Sequence, residues 1–563
     1  MGVRRAVDIV LEIAQHETGR RIYTYGPLIH NPQTIELLKI RGITPVKNIE
    51  EIDDKQNAIL VIRAHGIAPD ERKKIKESGI KIIDATCPKV GYVQAIIKKY
   101  TALNYTVIIA GDKEHPEVDG LLGYTSGFGV VVAAADEVEK LPLLDKVCVV
   151  AQTTQGLEEY NKIVEKIKEC YPDTVVFNTI CSSTEQRQSE IIAMAGQMDA
   201  MFIVGGKNSA NTKRLADLAH QQQTPTFHIE TAEELENINI EPYNRIGVSA
   251  GASTPNWIID RVMDKVAEGQ SRKLKKVGRL LNFWLWAIKT DIYSAIGAGC
   301  LCLTCMFLQR IPANISHLTI ASFFVYAMHV LNRLISRRPR GFLGSFREET
   351  YLKHEKSYLG AAAFSIIAAL FLTFINGMIP FIILFIISLA GALYNMKILP
   401  PGWRFRSLKD LPGSKNIFMA TAWGAVAAIL PALSNNHPYN AGLVVAFAFT
   451  FGVVFIRSAM SDILEIQSDK LIGRETIPVL IGKERTKTVL QSILLILLVI
   501  LLVSYPANWT SSLSLFLIIC LLYIWICFRL CDRRSGFSGA VMEGFLETSY
   551  IIAGFCVFVW YFL

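Results

Sequence analysis

Charged residues are scarce in this sequence of 563 amino acids: they make up 19%, against about 25% in an average soluble domain, whereas hydrophobic residues reach 51%. That balance excludes a disordered chain and points to a portion solvated by lipid rather than water. The 11 cysteines, an odd number, lack the spacing of an extracellular disulfide framework, and nothing at the N-terminus reads as a cleavable signal peptide. Cysteines with chemical roles are therefore sought as metal or cluster ligands in a reducing compartment. No nucleotide-binding fingerprint is present, and membrane topology accounts for the excess of 58 Lys+Arg over 50 Asp+Glu, so nucleic acid is not implied.

The composition changes near residue 270. Up to Gln270, short β-branched runs alternate with charged amphipathic stretches such as Glu158 to Glu169, the pattern of a water-soluble α/β protein. Beyond it, nine apolar segments of about membrane-spanning length recur, at 291–308, 316–332, 358–375, 378–394, 416–433, 441–456, 488–505, 512–528 and 546–563. Their connections test the count. Starting inside, four loops hold seven (333–357), five (395–415), six (457–487) and three (529–534) Lys+Arg, while the four opposite loops hold only Arg310. Positive residues stay on the cytoplasmic side, so the expectation is a multi-pass cell-membrane protein. Its N-terminal half is cytoplasmic and its C-terminus lies on the other side. Residues 269–290, with the run Arg272-Lys-Leu-Lys-Lys-Val-Gly-Arg279 before Leu280-Leu-Asn-Phe-Trp-Leu-Trp286, read as an interfacial helix or as a basic linker.

In the first half, seven strand-like runs end in polar or glycine-containing clusters. These are Ala64-His65-Gly66, Asp84-Ala-Thr86-Cys87-Pro88, Gly111 to Glu117, Gln152-Thr153-Thr154, Cys181-Ser-Ser-Thr184, Gly205 to Ser209 and Ser249 to Ser253. Carboxyl ends of strands converge on the ligand site of α/β folds, so one shared pocket is expected. Histidines, hydroxyls, an amide and exposed backbone N–H groups with few carboxylates suit a phosphate or diphosphate anion. Glu117, the lone acid, sits two residues from His115 and could deliver protons to a leaving hydroxyl. Cys87 and Cys181 are too far apart in sequence for an ordinary zinc site and suit an iron–sulfur cluster.

The stretches Gly2-Val-Arg-Arg-Ala6, Leu28-Ile-His30-Asn31, Ala64-His65-Gly66, Asp84-Ala-Thr-Cys87-Pro88, His115-Pro-Glu117, Gln152-Thr153-Thr154, Cys181, Lys207-Asn-Ser209 with Asn211, and Ala250-Gly-Ala-Ser253 resemble the 4-hydroxy-3-methylbut-2-enyl diphosphate reductase family over residues 2–268. The resemblance implies a trilobed α/β domain around a [4Fe-4S] cluster. Its reaction removes the substrate hydroxyl as water, giving isopentenyl and dimethylallyl diphosphates with electrons from a ferredoxin- or flavodoxin-like donor. It also implies that Cys87 and Cys181 ligate the cluster. His30, His65, His115, Ser209, Asn211 and Ser253 would hold the diphosphate, Glu117 would relay protons and Thr153 would position the substrate. Two departures stand out: Ala210 replaces a usual hydroxyl residue, and the family's first cluster cysteine would fall immediately before Met1.

In the second half Asp462, Glu465 and Asp469 recur at i, i+3 and i+7, on one helix face, where close carboxylates call for a cation such as Mg²⁺. Arg457-Ser-Ala-Met-Ser-Asp462-Ile-Leu-Glu465 through Asp469, Gly473-Arg474 and Thr476-Ile-Pro478 resemble the second aspartate-rich motif of the UbiA superfamily of intramembrane prenyltransferases. Tyr394-Asn-Met-Lys397, Leu411-Pro-Gly-Ser-Lys415-Asn416 and Trp423-Gly424 resemble its middle loop. The resemblance, over residues 285–563, implies an all-α polytopic domain with nine transmembrane helices and Mg²⁺-dependent transfer from a prenyl diphosphate. Asp462 and Asp469 would be catalytic, with Asn332, Lys397 and Arg474 on the substrate. The first aspartate-rich motif is replaced by Asn332-Arg333-Leu-Ile-Ser336-Arg337, so Arg333 and Arg337 are expected either to neutralise diphosphate or to mark a non-catalytic module. Cys300, Cys302, Cys305, Cys520, Cys527 and Cys531 read as packing residues, as do Cys148 and Cys170. The expectation is a multidomain, bifunctional isoprenoid enzyme; its competitor is a reductase tethered by an inert membrane module.

Overall fold

The computed structural model describes the chain except for residues 1, 18, 30, 272–276, 336–349, 352–353, 395, 397–407, 409–410, 412, 436–439, 473 and 534–538. It divides into two compact units, Met1–Val262 and Met263–Leu563.

The first unit contains three separate sheets, parallel in every pairing. Strands β1 (Arg21–Tyr25), β2 (Ile43–Val46), β3 (Ala58–Ile62) and β4 (Lys81–Asp84) lie in the order β2-β1-β3-β4. Next, β5 (Thr106–Ala110), β6 (Gly129–Val132), β7 (Val147–Ala151) and β8 (Val175–Val176) form β6-β5-β7-β8. The third sheet, β10-β9-β11, comprises β9 (Ala200–Val204), β10 (Thr226–Ile229) and β11 (Ile246–Ala250). Every residue of β3, β7 and β9 is buried, which explains their unbroken apolar runs: a central parallel strand is covered on both faces. The registers Ile62↔Asp84, Ala110↔Ala151 and Val204↔Ala250 bring the strand ends level within each sheet, so the clusters that follow emerge together.

Five of the helices begin at a residue of interest. Asn31, Cys87, His115, Cys181 and Ser209 are the N-caps of helices Pro32–Ile40, Pro88–Ala102, Pro116–Leu122, Ser182–Ala195 and Ala210–Gln221. Pro32, Pro88 and Pro116 occupy the first helical turn, where their missing N–H costs no hydrogen bond. The amphipathic stretch around Glu158 forms helix Leu157–Cys170 and buries Tyr160, Ile163 and Ile167 at its 3–4 residue spacing. Cys148 is buried as expected, but Cys170 is exposed at the end of that helix, so it is not a packing residue.

The second unit is helical throughout its described residues. Among the described residues, seven helices are long and apolar enough to cross a membrane: Ile315–Ile335, Glu355–Ile375, Ser414–Ser434, Ala441–Lys470, Lys483–Ser504, Leu513–Cys531 and Gly539–Phe562. The pair Arg279–Lys289 and Ile292–Leu308 adds an eighth if taken as one span bent by 80°, and Met378–Leu393 is apolar but shorter. Each of the nine expected segments thus corresponds to a helix, although length and composition alone qualify seven. Helix Ala441–Ile472 continues well past the expected end at 456, so the acidic motif is an extension of the same helix. Within Ser414–Ser434, residues Ala425–Ile429 widen into a π-helical turn just before Pro431, which cannot donate a helix hydrogen bond.

The unit's surface carries outward-facing Phe364, Ile367, Phe371, Leu495, Ile496, Val499 and Leu502. Contiguous large apolar residues of this kind are the exterior of a protein whose solvent is lipid. Inside, Leu301, Ala446, Phe449, Val453 and Leu497 pack together with Cys302 and Cys305. Cys520 and Cys527 also belong to this core, as their packing reading expects, with Cys531 at its edge.

Candidate functional sites in the two units

In the first unit the strand-end clusters meet through a chain of hydrogen bonds. His65, after β3, and His115, after β5, set their rings edge to face with centroids 5.4 Å apart, joining the first two sheets. The turn needs Gly66, whose φ is +72° and where a Cβ would lie 2.5 Å from Gln94 Nε2. The Glu117 backbone N–H donates to His115 Nδ1 at 3.1 Å, which leaves Nε2 as the proton-bearing nitrogen of a neutral ring. The Thr153 N–H and hydroxyl donate to Glu117 Oε1 and Oε2 at 2.7 and 2.9 Å. Cys181 N in turn donates to the Thr153 carbonyl at 2.9 Å. Burial pushes the Glu117 carboxyl up to about 6, despite the two Thr153 hydrogen bonds that oppose the shift; nearby Asp112 adds to it.

Cys87 joins the same region, because its N–H donates to the Ala64 carbonyl, next to His65, at 2.9 Å. Gly2 lies directly against it: a Cβ there would be 2.6 Å from Cys87 Sγ. Burial raises the Cys181 thiol. The Ser183 hydroxyl and N–H, the positive charge of the N-terminus and the Thr184 N–H together outweigh that effect and hold the thiol below its ordinary value. A thiol at a helix N-terminus with a lowered pKa is suited to bind metal. Cys181 therefore fits thiolate ligation in chemistry, and Cys87 stands likewise at a helix N-terminus. Among the described residues, no group of three or more His, Cys, Asp or Glu forms a metal site in either unit.

The third sheet is tied in by a residue that sequence reading did not single out. Arg214, on helix Ala210–Gln221, donates to Asp112 Oδ1 at 2.8 Å and to the Thr154 carbonyl. Its helix begins at Ser209, whose hydroxyl accepts from Thr212 N at 3.3 Å. Asn211 Nδ2 is buried and makes no hydrogen bond among the described residues, a donor available to an anion. Ser253 follows β11 and is half-buried. Gly251 beside it has no room for a side chain, since a Cβ would lie 2.2 Å from Thr212 Oγ1. His30 lies outside the described residues.

In the second unit, Asp462 is buried at the centre of a polar cluster. Lys415 Nζ donates to its Oδ1 at 2.7 Å and Asn416 Nδ2 to its Oδ2 at 2.8 Å, while Ser458 donates to Asn416 Oδ1 at 2.6 Å. Asp469 is buried two turns further on; its Oδ1 has no hydrogen bond and stands 3.9 Å from Arg474 Nη1. An orphaned buried carboxylate oxygen fits a cation. Yet Asp462 and Asp469 are separated by about 10 Å along the helix, so one ion cannot be held directly by both, with half-buried Glu465 between them. Asn332 is half-buried near the end of Ile315–Ile335. Lys397, Ser336, Arg337 and Gly473 lie outside the described residues.

Arg333 does not stand free for diphosphate as expected. Its Nε and Nη2 donate to the fully buried Asp291 at 2.6 and 2.9 Å, and Asp291 also accepts from the Tyr351 hydroxyl at 2.7 Å and meets His329 Nδ1 at 3.3 Å. A planar guanidinium pairs with two carboxylate oxygens at once, so the charge is neutralised internally. A second buried ion-pair group, Arg457 with Glu543 and Glu547, joins helices Ala441–Ile472 and Gly539–Phe562. These carboxylates were missed because they lie in or beside apolar stretches, with their cations distant in sequence.

Residues 1–267 match the family described as LytB protein, and residues 352–546 match the UbiA prenyltransferase family. The chain is 40% identical over 274 residues to the 4-hydroxy-3-methylbut-2-enyl diphosphate reductase of Opitutus terrae, covering 47% of this chain and 94% of that protein. It is similar to the solved structure of (E)-4-hydroxy-3-methyl-but-2-enyl diphosphate reductase, the terminal enzyme of the non-mevalonate pathway, with 39% identity, coverage of 48% and 95%, and a TM-score of 0.38. A UbiA homolog from Archaeoglobus fulgidus bound to GPP and Mg²⁺ aligns at 16% identity, covering 49% of this chain and 99% of that one, with a TM-score of 0.35. Over residues 1–267 the chain belongs to the LytB, or 4-hydroxy-3-methylbut-2-enyl diphosphate reductase, family, and its residues 352–546 match the UbiA prenyltransferase family.

Proposed function

We propose that the first unit reductively removes the hydroxyl of 4-hydroxy-3-methylbut-2-enyl diphosphate, yielding isopentenyl and dimethylallyl diphosphates. The observation that carries this reading is the connected set His65, His115, Glu117, Thr153 and Cys181, which unites an acid raised to about 6 by burial, two imidazoles in contact and a thiol held below its ordinary value. His65, His115, Ser209, Asn211 and Ser253 hold the diphosphate together with His30. Helix N-termini at His115 and Ser209 add backbone N–H groups and a favourable dipole. Cys87 and Cys181 would hold an iron–sulfur cluster, which supplies electrons and a Lewis-acidic iron when bound. Glu117, kept partly protonated near neutral pH by burial, gives up the proton that leaves with the hydroxyl, and Thr153 fixes the orientation of both carboxylate oxygens. Electrons come from a ferredoxin- or flavodoxin-like donor. The test is anaerobic turnover of the full chain, loaded with iron and sulfide, with reduced methyl viologen; absence of five-carbon diphosphate products would refute the reading.

The second unit is proposed to transfer a prenyl group from an allylic diphosphate to an aromatic acceptor. It is embedded by nine spans in the cell membrane, with the first unit cytoplasmic and the C-terminus opposite. Asp469 and Asp462 would each hold Mg²⁺ separately, through its own ion or an intervening water, supplying charge for the departing diphosphate; Glu465, Arg474, Asn332 and Lys397 complete the site. A second reading, a prenyl-lipid-binding or purely anchoring module, is favoured by Arg333 being committed to Asp291 and by Asp462 being satisfied by Lys415 and Asn416. A transfer assay in membranes separates the two. A catalyst loses activity with Asp462→Ala or on Mg²⁺ chelation, whereas a module without transfer activity supports the anchor.

A further inference from the structure

We infer that helix Val277–Lys289 is a membrane-surface helix that docks on anionic lipid headgroups, an inference that rests on reading residues 291–563 as membrane-embedded. Three features of the second unit converge on it. The helix meets the following apolar helix, Ile292–Leu308, at 80°, so where the latter crosses the bilayer the former lies in the membrane plane. Its two faces are both apolar. Leu285, Ala287 and Ile288 are buried, and Ile288 and Trp284 press on Gly544 of helix Gly539–Phe562, where a Cβ would lie 2.4 Å from Ile288 Cδ1. The outward face carries Leu280, Phe283 and Trp286, exposed by 73, 65 and 48%, with the last two rings stacked 5.6 Å apart. Residues spaced by three share one side of a helix, and an aromatic stripe of this kind suits the headgroup boundary. The sequence just before it holds Arg272, Lys273, Lys275 and Lys276, followed by Arg279, a run of one sign complementary to acidic lipid.

The elbow between the two helices is locked. Asp291 at the bend adopts φ +57°, is fully buried, and is held by Arg333 and Tyr351, while the Thr290 hydroxyl donates to the Trp286 carbonyl at 2.9 Å. The surface helix therefore keeps its angle to the span and presents the same face to the membrane.

The test places a photoreactive side chain on this face, Phe283→p-benzoylphenylalanine, in the full chain within nanodiscs of mixed phosphatidylglycerol and phosphatidylcholine. A control carries the same change at Val499, an outward residue of the span Lys483–Ser504. Adducts are identified by mass spectrometry. The inference expects position 283 to label lipid, with phosphatidylglycerol enriched about fivefold over its bulk share; position 499 labels lipid without preference. Unbiased lipid adducts at 283, or adducts there to peptides from residues 1–262 or from a second copy, overturn it while lipid labelling at 499 preserves the membrane reading. Failure of both positions to label lipid overturns the two together.

Discussion

Glu117 carries the clearest consequence at the scale of single residues. Its carboxyl is raised by burial from 4.5 to about 6, so between those values the folded protein binds more protons than the unfolded chain. The sign follows: this group favours folding most below about pH 4.5, and that contribution, about 2 kcal/mol, is lost as pH rises through 6. Glu117→Gln should therefore flatten the pH dependence of thermal unfolding between pH 4.5 and 7. It should also remove a descending limb near pH 6 from the reductase pH–rate profile; an unchanged limb would assign it to another group. Ser209→Ala, which deletes a helix cap, should cost about 1 kcal/mol of stability and weaken diphosphate binding besides, measurable by chemical denaturation and calorimetry. The residues legible in the sequence were those whose type is informative by itself, such as a lone acid beside a histidine. Arg214 acts by bridging segments distant in sequence, and nothing local marks it.

Among the elements, those that announced themselves were strands β3, β4, β5, β7, β8, β9 and β11, because an apolar run stops abruptly at glycine, histidine, cysteine or a hydroxyl. Strands β2, β6 and β10 are four-residue edge elements; the interior strand β1, Arg21-Ile-Tyr-Thr-Tyr25, with its charged start and polar middle, lacks the continuous apolar signature of a strand covered on both faces. In the membrane unit, hydropathy located the helices but not the buried charges that join them. The Asp291–Arg333 pair is the sharpest case. Asp291→Ala leaves a guanidinium without its carboxylate and should destabilise the unit by about 3–5 kcal/mol. Asp291→Asn with Arg333→Met should recover much of the loss. Thermal unfolding in detergent decides this; equal stability of Asp291→Ala and the parent would show that the pair carries little energy.

For the molecule as a whole, the change in solvent along the chain was legible from charge density and loop sign. Convergence of the strand ends on one pocket was expected from their polar clusters, but the individual contacts that join them, such as His65 with His115, were not legible. Two diphosphate sites of different chemistry are the central claim: one built from imidazoles, hydroxyls and amides, the other from carboxylates with a divalent cation. Calorimetric titration of the full chain in nanodiscs, with 4-hydroxy-3-methylbut-2-enyl diphosphate and with GPP, each with and without Mg²⁺ chelation, tests it most directly. The account predicts that the first ligand binds regardless of chelator and is weakened by Ser209→Ala or Asn211→Ala alone. The second requires Mg²⁺ and is lost with Asp462→Ala alone. Competition of the two ligands for a single site, or loss of both on chelation, would contradict it.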